Sequence, residues 1–225
     1  MKRNRDGITI FVQARKVSRR CANKMLRSFS GSCLIELCLE KLNCFRGYQV
    51  CFGAAEEEFL SKAKAFSNIK VIKRSQESAD SHSDSKKVFQ ILKDFTTPFV
   101  CWINPSHPFL TQETVEKAIE KFLDSTSRSL TSVVLERGWF YDAQGSALTN
   151  KSVDVDTSRS DGIYRVAHAF HIYERQRMIE TGRPWDNETN DPYLFEIPSL
   201  ESLDVDNERD FIMIEALYKQ YKNKS

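Results

Sequence analysis

Basic and small polar side chains are concentrated in ten residues near the start of the chain. They are Arg15, Ser18, Arg19, Arg20, Asn23 and Lys24. An apolar run at residues 8–12 precedes them and predicts a short buried strand. A basic loop between a strand and a helix forms an anion site, because it lies at the carboxyl end of the strand and the helix N-terminus adds N–H groups. The stretch therefore predicts a phosphate site, with a solvated basic loop as the alternative.

Two carboxylates near the other end of the chain have the spacing of a metal site. Asp204 and Asp206 alternate along a segment predicted to be extended, so their side chains share one face. Together with water and phosphate oxygens, they would complete the oxygen shell that Mg²⁺ prefers. The alternative is that Asp206 only caps the following helix. The same Asp-Val-Asp sequence at residues 154–156 lies in an irregular polar stretch, where ligands are held less rigidly.

A third polar segment follows an apolar strand predicted at residues 99–103. Asn104 begins a turn that Pro105 and Pro108 make rigid, at the sheet edge where open α/β sheets bind ligands. A loop that is merely bracketed by prolines is the alternative. The four histidines lack a metal-ligand spacing, and His168 and His171 are expected to be structural.

Length and composition predict one compact α/β domain over residues 1–225, because 40% of the residues are hydrophobic. The net charge of +2 gives no basis for general nucleic-acid binding. The six cysteines include no C-x-x-C pair, which favours reduced, buried thiols. The apolar run at residues 8–12 is too short for a signal peptide or a membrane span. We therefore expect a cytoplasmic protein that does not associate with membranes.

Strand-like and helix-like segments alternate along the chain. The patterns predict strands at residues 8–12, 48–52, 69–72, 99–103, 132–135, 163–173 and 193–197, and helices at residues 34–42, 56–66, 85–95, 111–122, 175–180 and 207–221. This order favours a mostly parallel, doubly wound (Rossmann-like) α/β sheet. Residues 136–162 break the alternation, and loops of that length are typical of a lid or a dimer arm.

The basic stretch also carries a family resemblance. The pattern Ala14-Arg15-x-x-Ser18-x-Arg20-x-x-x-Lys24 resembles the opening signature of the acylneuraminate cytidylyltransferases, the CMP-sialic acid synthetases. Lys16 and Val17 stand where that family usually has glycines.

Three further segments resemble the same family. The turn at Asn104 is similar to a family segment that begins with Gln, but Leu110 replaces its arginine. Arg74 and Ser85 match a segment that surrounds the cytosine and ribose in the family. The Asp204–Asp206 pair, followed by Asp210-Phe211, matches the D-x-D pattern before the last helix.

The resemblance implies a fold of the nucleotide-diphospho-sugar transferase type and a homodimer. It implies a CTP-dependent enzyme that forms a CMP-sugar from a sialic-acid-like sugar acid and releases diphosphate. The nucleotide-binding residues would be Ala14, Arg15, Ser18, Arg20, Lys24, Arg74, Ser85 and Asn104. Arg15 and Lys24 would be catalytic, and Asp204 and Asp206 would hold Mg²⁺. Asn104, Arg159 and Arg165 would bind the acceptor.

Two alternatives remain open. A cytidylyl- or uridylyltransferase for another acceptor, octulosonate-like or a phosphorylated small molecule, is favoured by Leu110 and by the lack of the family's Asn-Gly at Ala167-His168. Ser106 stands where the octulosonate enzymes have an aspartate, which favours the sialic-acid branch. A catalytically degenerate nucleotide-binding member is favoured by the missing loop glycines, whereas the retained Arg15 and Lys24 disfavour it.

Overall fold

The computed structural model describes residues 3–80, 82–149, 156 and 161–223. Seven strands form one sheet: β1 (Ile8–Gln13), β4 (Gln49–Ala54), β5 (Lys70–Lys73), β6 (Phe99–Ile103), β7 (Ser129–Arg137), β8 (Gly162–Glu174) and β9 (Tyr193–Glu196). The strand order is β5-β4-β1-β6-β8-β7-β9. A separate hairpin is made of β2 (Ser28–Phe29) and β3 (Ser32–Cys33).

Most neighbouring strands of the large sheet are parallel, as the sequence predicts. β1 pairs in parallel with β4 and β6, so that Ile10 lies opposite Val50 and Cys101. The pairs β4–β5 and β7–β9 are also parallel. Only β8 is antiparallel to its neighbours, β6 and β7. The first five residues of β1 are buried, as expected for a central strand with both faces covered.

The helices lie on both faces of the sheet, which confirms the doubly wound α/β prediction. They are α1 (Leu34–Cys44), α2 (Glu57–Lys64), α3 (Gln76–Ala79), α4 (Ser85–Val88), α5 (Gln112–Leu123), α6 (Arg175–Thr181) and α7 (Glu208–Lys222). One face packs Ile10 and Val12 against apolar residues of α1, α2, α5 and α7. The other face packs Phe11 against Met178 of α6 and against Ile91 and Leu92.

Two local expectations are wrong. The predicted helix at residues 85–95 divides into α4 and a 3₁₀ helix at Gln90–Asp94, because Phe89 leaves helical geometry between them. The basic loop does not run directly into a helix, since the β2–β3 hairpin intervenes. Near the start of α1, the N–H of Ile35 is bonded to the carbonyl of Met25. The candidate phosphate site therefore rests on the loop itself, without a helix N-terminus directly after it.

The predicted arm at 136–162 lies partly outside the described residues. Its described beginning contains a turn in which Asp142 Oδ1 accepts hydrogen bonds from the backbone N–H groups of Gln144 and Ser146. All six cysteines are free thiols, and every one except Cys44 is buried. None of the helices formed by the described residues is long and apolar enough to cross a membrane.

Candidate active site

A cavity of about 650 Å³ opens at the carboxyl ends of β1 and β6. Eight of the predicted site residues line it: Ala14, Arg15, Ser18, Arg20, Lys24, Arg74, Asn104 and Asp206. Residues that are distant in sequence therefore meet at the sheet edge where α/β proteins bind ligands. The volume lies within the range of small-molecule sites.

The basic loop forms one wall of the cavity and is fastened at its base. The N–H of Ala14 donates to the carbonyl of Gly53 at 3.0 Å. Lys16, which replaces a family glycine, donates its backbone N–H to Glu56 at 2.8 Å and its ammonium to Glu58 at 3.1 Å. These bonds hold the loop despite the missing glycines, and Arg15 remains exposed at the cavity.

Lys24 joins the basic loop to the segment that carries the two aspartates. Its ammonium donates to the carbonyl of Val205 at 2.7 Å and lies 4.0 Å from Asp206 Oδ1. Burial lowers the pKa of Lys24, although Asp204 and Asp206 act in the opposite direction. Arg20 donates to Asp206 at 2.8 Å. The predicted phosphate-binding cations and the predicted metal ligands thus form one electrostatic cluster.

The donor set of the aspartate segment fits a divalent cation. Asp204, unlike Asp206, does not line the cavity; its buried Oδ1 accepts no hydrogen bond from any described residue and lies 3.8 Å from Nδ1 of His107. Burial, followed by the neighbouring Asp206, raises the pKa of Asp204 to about 7. A cation would relieve both effects. The described residues hold no cluster of three His, Cys, Asp or Glu side chains for a metal, so further oxygen ligands would come from water and phosphate.

The alternative role of Asp206, as a helix cap, is not what the structure has. The N-cap of α7 is Asn207, whose side chain accepts from the N–H of Asp210. Asp210 in turn accepts from the N–H groups of Asp206 and Asn207. Val205 is fixed by donating its N–H to the carbonyl of Ser106 at 3.1 Å. The segment between the two aspartates is therefore held from both sides.

Arg74 lines the same cavity directly after β5. Its guanidinium is buried and donates to the carbonyls of Ala14, Ser78 and Val88. Burial lowers the pKa of Arg74 to about 10, so it remains charged at neutral pH. Ser78, which the sequence did not single out, is buried and lines the cavity. Ser85 is not part of the lining and lies against Gly182 instead.

The turn after β6 presents an amide to the cavity. Asn104 donates its backbone N–H to the carbonyl of Ala169 at 2.9 Å. Its side-chain oxygen accepts from the N–H of Ser106 at 3.0 Å, which leaves the Nδ2 group for a ligand. Leu110, at the position of the family arginine, is 2% exposed and belongs to the core. Its side chain packs in the core instead of forming a polar acceptor contact.

One of the predicted acceptor arginines, Arg165, is not brought to this cavity. Arg165 pairs with Glu136 across β7 and β8 and does not line the cavity. Arg159 lies outside the described residues.

His168 and His171 are packed together, with Nδ1 of the first 3.2 Å from Nε2 of the second.

Besides Ser78, sequence reasoning also missed Gln13, Phe89 and Trp102 as lining residues. Trp102 is stacked on His171, with the ring centroids 5.5 Å apart and the planes 8° apart. The indole Nε1 of Trp102 is buried and has no partner in the described part of the chain. The polar residue Gln13 at the end of an apolar strand was the one signal in the sequence that could have indicated this part of the cavity lining.

The fold and the site together define a nucleotidyltransferase: a doubly wound sheet with a basic loop after β1 and two carboxylates beside it. The chain belongs to the cytidylyltransferase family, whose model matches residues 9–222. It is therefore an enzyme of CTP-dependent cytidylyl transfer, which confirms the sequence prediction at the level of the family. No curated protein matches the sequence significantly.

Two solved structures show the same fold. CMP:2-keto-3-deoxy-manno-octonic acid synthetase, complexed with CTP, superposes with a TM-score of 0.68 at 14% sequence identity, covering 95% of this chain and 99% of that chain. The 4-diphosphocytidyl-2C-methyl-D-erythritol synthase from Anaerococcus prevotii gives a TM-score of 0.65 at 10% identity, covering 95% of this chain and 96% of that chain.

Proposed function

We propose that this enzyme transfers CMP from CTP to the anomeric hydroxyl of a sialic-acid-like sugar acid and releases diphosphate. The observation that supports it most is the cluster of Arg20, Lys24 and Asp206 at the mouth of one cavity. Cations for phosphates and carboxylates for a metal are the two charge types that nucleotidyl transfer needs together. The sialic-acid-like acceptor is proposed because the turn at Asn104 resembles that of the family and because Ser106 stands where the octulosonate enzymes have an aspartate.

In this proposal the loop cations position the triphosphate and stabilise its charge. Arg15 contacts the α-phosphate, where the acceptor hydroxyl attacks in line, and Lys24 contacts the departing phosphates, with Ser18 and Arg20 beside them. Phosphoryl-type transfer requires positioning and charge stabilisation more than covalent chemistry by the protein. The partly buried ammonium of Lys24 interacts more strongly with phosphate than an exposed one does, since its surroundings have a lower dielectric constant.

Asp204 and Asp206 are proposed to hold Mg²⁺. The bound ion would neutralise phosphate charge and lower the pKa of a coordinated hydroxyl. The buried Oδ1 of Asp204 and its raised pKa support a cation at this position. Asn104 Nδ2 is proposed to contact the acceptor. Arg159 and Arg165 are proposed to contact it as well, although Arg165 does not line the cavity.

The nucleotide is tested first, because it needs no acceptor. We expect CTP with Mg²⁺ to raise the melting temperature more than UTP, ATP or GTP do, since binding to the folded state alone stabilises it. An equal or larger shift with another triphosphate contradicts the cytidylyl assignment. Diphosphate release with CTP and a panel of sugar acids then identifies the acceptor.

A different acceptor is the second candidate. The family Asn-Gly is replaced by Ala167-His168, and His168 keeps a positive φ of 55° that glycine would adopt more readily. The imidazole of His168 packs on His171, and the next residue, Ala169, accepts a hydrogen bond from the backbone of Asn104. This substitution favours an octulosonate-like acid or a phosphorylated small molecule. Diphosphate release with one of these, and none with sialic acids, selects this candidate.

A homodimer is proposed from the outer end of the sheet. Large apolar side chains are exposed there: Trp139 at 43%, Tyr141 at 63%, Leu148 at 57%, Tyr164 at 48% and Leu194 at 45%. Tyr164 lies on β8 and Leu194 on β9, and the other three lie in the described part of the predicted arm. Light scattering coupled to gel filtration is expected to give twice the chain mass, and a monomeric mass contradicts the proposal.

A further inference from the structure

Gln13 has an unusual position at the end of a buried strand. It is the last residue of β1 and lines the cavity beyond the buried Phe11, on the same sheet face. Its side-chain Oε1 is buried and has no hydrogen-bond partner among the described residues. A buried acceptor without a partner costs about 1–3 kcal/mol, so a donor supplied by a ligand is the simplest reason to keep it.

A residue close to Gln13 carries a buried donor. In the pairing of β1 with β4, Gln13 lies opposite Gly53. The Cδ atom of Arg74 is 3.2 Å from the position that a Cβ on Gly53 would take, so the Arg74 side chain passes over this glycine. The Nε of Arg74 is buried and also has no partner in the described chain. Gln13, with a buried acceptor, and Arg74, with a buried donor, thus both lie beside Gly53 in the cavity wall.

We propose that Gln13 determines the choice of nucleobase by accepting a hydrogen bond from the 4-amino group of cytosine. This inference rests on the proposed function and deepens it. Cytosine presents an amino donor beside ring acceptors, and these are complementary to Gln13 Oε1 and Arg74 Nε. Uracil presents a carbonyl oxygen in place of the amino group. In the amide orientation that the structure has, Gln13 Oε1 would then face a second acceptor, and both would be unpaired.

The proposed location of the triphosphate supports this placement of the base. The exposed cations of residues 15–20 and the Asp206 segment form the charged part of the cavity. A nucleotide whose phosphates lie there must extend its base away from them. The wall made by Gln13, Arg74 and Ser78 carries polar groups and one buried charge, with apolar Phe89 beside it. Such a lining suits an aromatic base with a polar edge.

A competing use for Gln13 exists within the protein. The indole Nε1 of Trp102, on neighbouring β6, is also a buried donor without a partner in the described chain. Trp102 pairs with Phe11 in the sheet register, two residues before Gln13. A small rotation could join the two side chains to each other, and Gln13 would then have no role toward the base. The experiment includes a variant that separates these two possibilities.

The test measures CTP and UTP binding by calorimetry with Mg²⁺ and without an acceptor. Wild type is expected to prefer CTP. Gln13→Met should weaken CTP binding about tenfold and leave UTP binding within about twofold, because only the amino group loses its acceptor. Gln13→Glu keeps an acceptor and should keep the ratio of the two affinities, even if its charge weakens both. An unchanged ratio in Gln13→Met overturns the inference.

Two further variants and one stability measurement complete the test. Gln49→Met is the matched control, since Gln49 accepts from Thr9 at 2.8 Å outside the cavity, and it should leave both affinities unchanged. Trp102→Phe should keep the CTP-to-UTP ratio, and a loss equal to that of Gln13→Met overturns the inference. Gln13→Met without nucleotide should melt at a higher temperature, because it removes an unpaired buried acceptor. A lower melting temperature shows that the acceptor was paired inside the protein and overturns the inference.

If wild type binds neither triphosphate, or binds another one more tightly, the proposed function fails. If wild type prefers CTP and Gln13→Met keeps that preference, only the role of Gln13 fails.

Discussion

Arg20 and Asp206 form an ion pair of 2.8 Å across 186 positions of sequence. The pair joins the loop after the first strand to the segment before the last helix. Both side chains are partly exposed, at 69% for Arg20 and 38% for Asp206, so each is accessible to a nucleotide or a metal ion. A cation predicted to bind phosphate and a carboxylate predicted to bind Mg²⁺ thus contact each other at the mouth of the cavity.

Removal of this pair should affect binding more than folding. Because exposed ion pairs contribute about 0–1 kcal/mol, Arg20→Ala should change the unfolding free energy by less than about 1 kcal/mol. The same variant should weaken CTP binding in calorimetry, because a phosphate contact is lost. A large loss of stability with normal CTP affinity would show that Arg20 is structural.

Arg15 is expected to be needed for turnover. Arg15→Ala should lower kcat by roughly 10²-fold, as is typical when a preorganised charge is removed from a transition state. Lys24→Ala should have a similar effect. Lys16→Ala is the matched control, because Lys16 pairs with Glu58 and does not line the cavity. Near-native kcat in Arg15→Ala and Lys24→Ala would show that the loop is only a solvated turn.

The two Asp-Val-Asp sequences can be distinguished by isosteric variants. Asp204→Asn and Asp206→Asn are expected to abolish Mg²⁺-dependent turnover, whereas Asp154→Asn and Asp156→Asn should change it by less than about tenfold, or 1.4 kcal/mol of barrier. Asp154 lies outside the described residues, so this comparison rests on sequence context. Turnover is measured across a Mg²⁺ titration and after chelation. Loss of Mg²⁺ dependence in the 154–156 variants alone would move the metal site there.

Lys41 should make stability depend on pH above neutrality. Its ammonium donates to the carbonyl of His107 at 3.0 Å, and burial lowers the pKa of Lys41 to about 8. The folded protein therefore releases this proton at a lower pH than the unfolded chain does. Between pH 8 and the ordinary lysine pKa, the unfolded chain therefore binds this proton more than the folded protein does. The free energy of unfolding rises with pH across this interval, and the gain is lost as the pH falls back to 8.

The measurement compares wild type with Lys41→Met by urea unfolding at pH 7 and pH 9. The difference in unfolding free energy, wild type minus variant, should rise by on the order of 1 kcal/mol over this interval. Lys117→Met is the control, because Lys117 is exposed and paired with Glu113, and its pKa is raised by that partner. A difference that stays constant with pH contradicts a buried, proton-releasing Lys41.

Local patterns determined many of the elements of this protein. The strand at residues 99–103 was predicted with the bounds that the structure has, because five consecutive apolar residues bounded by prolines are typical of a buried strand. Thr111 and Asn207 were identified as helix caps, and both accept hydrogen bonds from the N–H three residues later. Such signals act within a few residues, so they can be recognised in sequence.

The charged residues of the site were also recognisable in the sequence, since their types and spacing predict phosphate and metal binding. Arg15, Lys24 and Asp206 were identified as site residues from sequence, and the cavity contains all three. Sequence could not place Ser85 or Arg165, because their neighbours come from other elements: Gly182 lies against the first, and Glu136 pairs with the second. Contact between distant segments depends on packing, which no local pattern encodes.

Tertiary structure alone decided how the sheet is ordered and which polar atoms are left unpaired. The apolar run of β8 suits a parallel or an antiparallel strand equally, and only its place between β6 and β7 makes it antiparallel to both. Gln13 and Trp102 have buried side-chain atoms without partners among the described residues, because the neighbouring strands and the α3–α4 segment enclose them. Enclosure depends on the packing of segments far apart in sequence, and the sequence by itself therefore determined the chemistry available but not where it is buried.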